Sequence, residues 1–267
     1  MKFSHKTYSL LNLIVISLVV FWNYWVGSKG LNGNTVSSLS SQYENLFTPA
    51  GYAFSIWGII FLSLLAQAVF FISRAFSKSK NSDFISQVGP YLIMTNIGNA
   101  LWLYFWLMEQ TGLSVVVMLG ILTSLVIIIL NTNMEKWDAP RSIIIWLWWP
   151  ICLYSGWIAV ATIANISAYL AKISWTGPFS EITWTIIMII IATSVNLFMI
   201  FTRNMREFAM VGAWAIFAIA VRHWNSIELL KTTALICASI LILASAYHGF
   251  INRKQSPFLK RKGLKEV

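Results

Sequence analysis

LSVVVMLGILTSLVIIIL, residues Leu113 to Leu130, contains no Asp, Glu, Lys or Arg. As a helix rising about 1.5 Å per residue it reaches about 27 Å, close to the roughly 30 Å hydrocarbon core of a bilayer. It therefore reads as a membrane-crossing helix, and the chain holds seven more apolar runs around it. These are Tyr8 to Val26, Ala53 to Ile72, Gly89 to Met108, Ile143 to Ser167, Ile182 to Thr202, Phe208 to Val221 and Thr232 to Ile251. Of the 267 residues 58% are hydrophobic and 10% charged, whereas soluble domains carry about 25% charged residues. The reading is an all-α, polytopic helical membrane protein of about eight transmembrane helices.

Two runs need separate arguments. Tyr8 to Val26 follows Lys2 and Lys6 and could be a secretory signal, but it exceeds the roughly 7 to 15 residues of such a segment. It also ends in Phe21, Trp22, Tyr24 and Trp25 rather than in small residues, and aromatic side chains suit a membrane interface. Phe208 to Val221 is short, at about 21 Å of helix. Counting it as a span, with a cytoplasmic N-terminus, leaves only Lys29, Lys172, Arg222 and Lys231 on the far side and puts the other 15 of the 19 basic residues on the cytoplasmic side. Omitting it destroys that bias, so the positive-inside rule favours eight spans with both termini cytoplasmic. The expected setting is an integral membrane protein of a bacterial cytoplasmic membrane.

The +10 charge sits in short connectors and reports topology rather than nucleic-acid binding. Residues 252–267 form a basic cytoplasmic tail, suited to anchoring topology or to docking on anionic lipid. Cys152 and Cys237 lie in apolar runs and read as small buried residues. His5, His223 and His248 are scattered, with no i, i+4 pair to hold a metal, and read as interfacial polar groups. No charge lies deep in a span, which argues against proton relays and voltage sensors. No nucleophile has a neighbouring base, so no catalytic residue is assigned.

What remains is a set of amides and indoles in apolar helices. Asn96, Asn99, Trp102 and Trp106 occupy the third run, and Trp157, Ala161 and Asn165 repeat at i, i+4, i+8 in the fifth. These spacings place Asn99, Trp102 and Trp106 on one helical face. Such amides, Asn96 and Asn196 included, can serve simply as helix-to-helix hydrogen bonds worth about 0.6 to 2 kcal/mol. The indoles can likewise simply pack between helices. Indoles one turn from an amide also make a flat apolar wall with a few aimed donors, the chemistry that a polyaromatic or sterol-like ligand requires.

At these residues the chain resembles the TspO/MBR family of translocator proteins, or tryptophan-rich sensory proteins. Pro49-Ala50-Gly51-Tyr52-Ala53-Phe54 followed by Trp57 matches the start of that family's second helix, Gly98-Asn99-Ala100-Leu101-Trp102 its third-helix motif, and Tyr154, Trp157, Ala161, Thr162 and Asn165 its fifth. The spacing from Phe54 to Trp57 is one residue short, a single Pro49 replaces a tandem proline, and Leu153 stands where the family has proline. The resemblance covers residues Tyr8 to Tyr169 and leaves the last three runs without a counterpart.

The resemblance implies a five-helix bundle at residues 1–169, with three additional helices over residues 170–251. It implies an apolar pocket for tetrapyrroles (porphyrins) or sterol-like molecules, lined by Trp57, Asn99, Trp102, Trp157, Thr162 and Asn165 under a lid that includes Pro49, Tyr52 and Phe54. A bound tetrapyrrole or lipid, a homodimer or a partner membrane protein, and porphyrin degradation are family expectations only. The function expected is a membrane-embedded sensor or carrier for hydrophobic ligands. Its rivals are a permease that uses all eight runs and a non-catalytic subunit that docks a partner on the last three.

Overall fold

A computed structural model describes residues 4–77 and 82–253. Lys2, Lys78, Lys80 and the tail residues after Arg253, all counted in the charge bias, lie outside the described residues. The elements are α1 (His5–Lys29), α2 (Val36–Gln42), a 3-10 turn Gly51–Ser55, α3 (Ile56–Ala75), α4 (Phe84–Leu107), α5 (Thr111–Asn131), α6 (Arg141–Ile143), a π-helical turn Ile144–Trp148, α7 (Trp149–Lys172), α8 (Glu181–Arg203), α9 (Arg206–Arg222) and α10 (Glu228–Ile251). Each of the eight apolar runs forms a long helix.

Local chemistry sets many of the boundaries. Ser4 and Ser180 cap α1 and α8 by accepting from the backbone N–H groups of Thr7 and Thr183, which satisfies donors that a helix start leaves free. The π turn ahead of α7 has its cause in Pro150, which lacks an N–H and crowds the preceding turn. Gln67 of α3, fully buried, donates to the Leu147 carbonyl of this widened turn at 3.1 Å.

By length and apolarity six helical stretches among the described residues can cross a membrane: α1, Gly51–Ala75, α5, Arg141–Lys172, α8 and α10. α4 has 24 residues and no ionised side chain, but Gln87, Asn96 and Asn99 dilute its apolarity. α9 has 17 residues and is enclosed by protein over most of its surface, with alanines at 209, 213, 215, 218 and 220 all buried and Met210, Trp214 and Phe217 exposed. Neither of these two helices has to satisfy lipid on every side.

The packing order explains the difference. α1 packs on α3 and α4, α4 on α5, and α5 and α3 both on α7, so these five helices close a ring. α9 lies on the other side of α7, with α8 and α10 packed against it and against each other. Helix α7 is thus central: in the apolar 18-residue window of Arg141–Lys172 72% of the residues are buried, against 22% in that of α1. Two glycines permit close crossings of the kind small residues allow in membranes. A Cβ at Gly156 would lie 2.6 Å from the Phe208 carbonyl oxygen, and one at Gly212 2.3 Å from Asn196 Oδ1.

Candidate functional site

A cavity of about 60 Å³ lies among α3, α4, α5, α7 and α9, beneath α2 and the segment Thr48-Pro49. Its aromatic walls are Phe54 from the 3-10 turn, Trp57 from the start of α3, Trp102 and Trp106 from α4, and Trp157 from α7. Trp57 meets Trp157 edge-on at 6.3 Å between ring centroids, and Phe54 meets Trp157 edge-on at 5.9 Å. Trp102 and Trp106 stack at 6.1 Å with planes 17° apart, as the one-turn spacing on α4 dictates. Ala161, Ala164 and Ala168 of α7 supply small surfaces, so the room comes from alanine on α7 and the walls from Trp157 of the same helix and the indoles of α3 and α4.

The polar side of the cavity is Asn165. Its Oδ1 accepts from Trp102 Nε1 at 3.1 Å, and its Nδ2 donates to Ser114 Oγ at 2.9 Å. This network ties α4, α5 and α7 together. Trp106 Nε1, by contrast, is buried without a hydrogen-bond partner among the described residues. An unpaired buried donor is costly, and here it belongs to a residue of the cavity wall, where a ligand acceptor could satisfy it.

Of the residues singled out from sequence, Trp57, Trp102, Trp157 and Asn165 line the cavity together with Pro49 and Phe54. Asn99, Thr162 and Tyr52 are not among its walls. Asn99 Oδ1 accepts from Asn23 of α1 at 3.0 Å, and the Thr162 hydroxyl donates to the Ile158 carbonyl of its own helix at 2.7 Å. Tyr52 stands edge-on to Trp214 of α9 at 5.2 Å. Trp106, Met118 and the α9 residues Ala215 and Ile219 complete the wall. Trp106 was reachable from its i+4 spacing to Trp102. Nothing in the sequence around Ala215 or Ile219 distinguishes them from core residues.

The lid is tied down at both ends. Toward the ring, the Tyr43 hydroxyl donates to Glu109 Oε2 at 2.5 Å, and Asn34 Nδ2 donates to Glu109 Oε1 at 3.3 Å. The Tyr43 bond holds the Glu109 carboxyl below its ordinary 4.5. Burial, with Glu109 beside it, pushes the Tyr43 phenol up to about 12. Toward α9, Ala50 N–H donates to the Ala218 carbonyl at 3.0 Å and Trp214 Nε1 to the Ala53 carbonyl at 3.2 Å. Arg222 pairs with Glu44. His223, buried, places Nε2 2.8 Å from the Leu46 carbonyl and Nδ1 3.2 Å from Ser226 Oγ. Only the Nε2–H tautomer satisfies both neighbours, with the serine hydroxyl donating to Nδ1.

A family model described as TSPO-like protein matches residues 9–247. The match continues past Tyr169 through α8 and α9 and most of α10, so the three C-terminal helices are part of what it describes. No curated protein and no solved structure matches the chain.

Proposed function

The chain belongs to the family of TSPO-like proteins, and on that premise we propose that it is a membrane-embedded binding protein, a sensor or carrier, for flat hydrophobic ligands of the tetrapyrrole or sterol-like class. The observation that carries this reading is the wall of four indoles, Trp57, Trp102, Trp106 and Trp157, around one cavity with an unpaired indole N–H. Aromatic faces favour a conjugated ring by stacking and edge contacts worth about 0.5 to 1.5 kcal/mol each beyond area burial. The Trp106 N–H would give a ring substituent or carboxylate a directed bond.

Size supplies the mechanism. Ligand pockets commonly occupy about 300 to 1,000 Å³, and about 60 Å³ is present here. Binding therefore requires the segment around Pro49 to lift, breaking its bonds to α9, and the cost of opening makes occupancy and lid position one linked equilibrium. In the orientation argued from the basic residues, the lid faces away from the cytoplasm, and the ligand is admitted from that side or laterally from lipid.

The test is an absorbance titration of the detergent-solubilised full chain with a free-base porphyrin, beside Trp157→Ala and Trp106→Phe at temperatures well below each protein's unfolding. The expected result is a saturable spectral shift, weakened roughly tenfold by Trp157→Ala, which corresponds to loss of about one aromatic contact. Trp106→Phe should weaken carboxylated porphyrins more than their esters. A shift that never saturates, or that ignores both substitutions, would reduce the indoles to packing.

A further inference from the structure

A second and larger concavity lies away from the lid. It is a groove of about 680 Å³ with α7 and α9 beneath it and α3 and α10 at its flanks. Most of its lining is apolar, and Ile59, Met210 and Ile242 are themselves exposed, so it opens sideways on the surface that an apolar helical bundle presents to lipid. One end is different. Arg206, Glu207 and Ser245 line it, and Arg206 Nε, Glu207 Oε2 and Ser245 Oγ are buried with no hydrogen-bond partner among the described residues. Arg206 and Glu207 are adjacent on α9 and so diverge around it, and no ion pair joins them among the described residues. The Arg206 guanidinium lies close over α10, where a Cβ at Gly249 would be 3.4 Å from its Nη1.

The dimensions identify a class of occupant. Along α9 the groove runs from Arg206 to Trp214, eight residues or about 12 Å, close to one leaflet's half of a 30 Å core. Its polar end is the end of α9 next to the α8–α9 turn, where α10 also terminates, so it sits at membrane-surface depth while Trp214 lies toward the middle. A guanidinium matches phosphate geometry, and a carboxylate beside it calls for a cationic N–H donor.

We propose that this groove is a specific phospholipid site, taking one acyl chain along α9 and a headgroup that carries both phosphate and a primary ammonium. Arg206 and Ser245 donate to the phosphate, and Glu207 accepts from the ammonium. An anionic headgroup without the ammonium leaves Glu207 unpaired beside added negative charge. A choline headgroup offers the cation but no N–H. The ethanolamine class satisfies all three side chains.

Native mass spectrometry of the full chain, purified in mild detergent and offered equimolar phosphatidylethanolamine, phosphatidylcholine and phosphatidylglycerol, tests this. One ethanolamine lipid should be retained over choline by roughly tenfold, the scale of a single charge-assisted hydrogen bond. Glu207→Gln should erase that preference, and Ala246→Phe, which fills the groove, should abolish retention. Ile59→Trp narrows the same groove from a side chain that is 59% exposed and should do the same without entering the α9–α10 packing, which covers the case that Ala246→Phe fails to fold. Equal retention of the three lipids, a preference for the glycerol lipid, or an ethanolamine preference that survives both groove-filling changes would each overturn the assignment. The porphyrin titration is expected to be unaffected by Ile59→Trp, so this proposal and the proposed function fail separately.

Discussion

The cavity under the lid and the groove on the flank are built from the same two helices and are opposite in kind. The cavity uses Trp157 and the alanine stripe of α7 with Ala215 and Ile219 of α9, while the groove uses Trp149 and Leu153 of α7 with Met210 and Trp214 of α9. One is small, aromatic and closed by a hydrogen-bonded segment. The other is about 680 Å³, apolar, open to the side and polar at one end. Void size alone thus points away from the indoles. The chemistry of the walls tells the two apart: flat donors and faces suit a rigid ring, whereas a long apolar trough with a charged end suits a flexible chain with a headgroup.

The strongest challenge to this comparison is Gly156→Val, at the crossing both sites depend on. With a Cβ 2.6 Å from the Phe208 carbonyl oxygen, α7 and α9 must separate, and overpacking of this kind costs about 3 kcal/mol. Thermal unfolding in detergent should show a lower midpoint, together with loss of both the porphyrin shift and the retained lipid. Survival of either one would show that the two sites do not share a seam.

A smaller change should separate them. His223→Ala removes the donor to Leu46 and leaves that carbonyl unpaired, a loss of about 1 to 3 kcal/mol. Amide exchange should accelerate across residues 44–53, and porphyrin should associate faster, while the lipid in the groove stays bound. Unchanged exchange would place the closing force elsewhere in the lid.

The least effect is expected at the lid's other anchor. Because Glu109 titrates below 4.5 in the folded protein, its bond to Tyr43 contributes fully above that value and is lost as pH falls through the depressed pKa. The Tyr43 phenol, raised from 10.0 to about 12, keeps its proton at neutral pH, so its contribution fades only as pH rises past 10. Protection factors of the lid amides, which correct exchange for its intrinsic pH dependence, should therefore be flat from about pH 5 to 9 and fall at both extremes. Tyr43→Phe should remove both limbs. A persistent acid limb in that variant would assign the titration to another carboxyl.

Much of the aromatic site was legible because helical periodicity reveals faces. Trp102 with Trp106, and Trp157 with Ala161 and Asn165, recur at one or two turns, and the structure sets both sets around one cavity. Periodicity does not reveal depth. Asn99 shares a face with Trp106 but lies seven residues, about 10 Å, away along α4, where it meets Asn23 instead. Thr162 is five residues beyond Trp157, about 140° around α7, and bonds to its own helix. The resemblance to translocator proteins stopped at Tyr169, whereas the family match runs to residue 247. The helices beyond Tyr169 carry Trp184, Asn196 and Trp214 singly, at no spacing that repeats the indole and amide pattern of α4 or α7.

Sequence alone determined the solvent and the class of fold, since uncharged runs as long as a bilayer is thick have no other economical arrangement than membrane helices. It also supplied the indoles and their faces, because those follow from covalent spacing and a fixed helical repeat. Only the tertiary structure decided that α9 lies against α7 and holds the lid through Ala218, Trp214, Arg222 and His223. It alone also decided that Arg206, Glu207 and Ser245 line the same end of a groove. Those contacts join residues far apart in the chain through carbonyls and small side chains that leave no local pattern, and they exist only once neighbouring helices have fixed their crossing and depth.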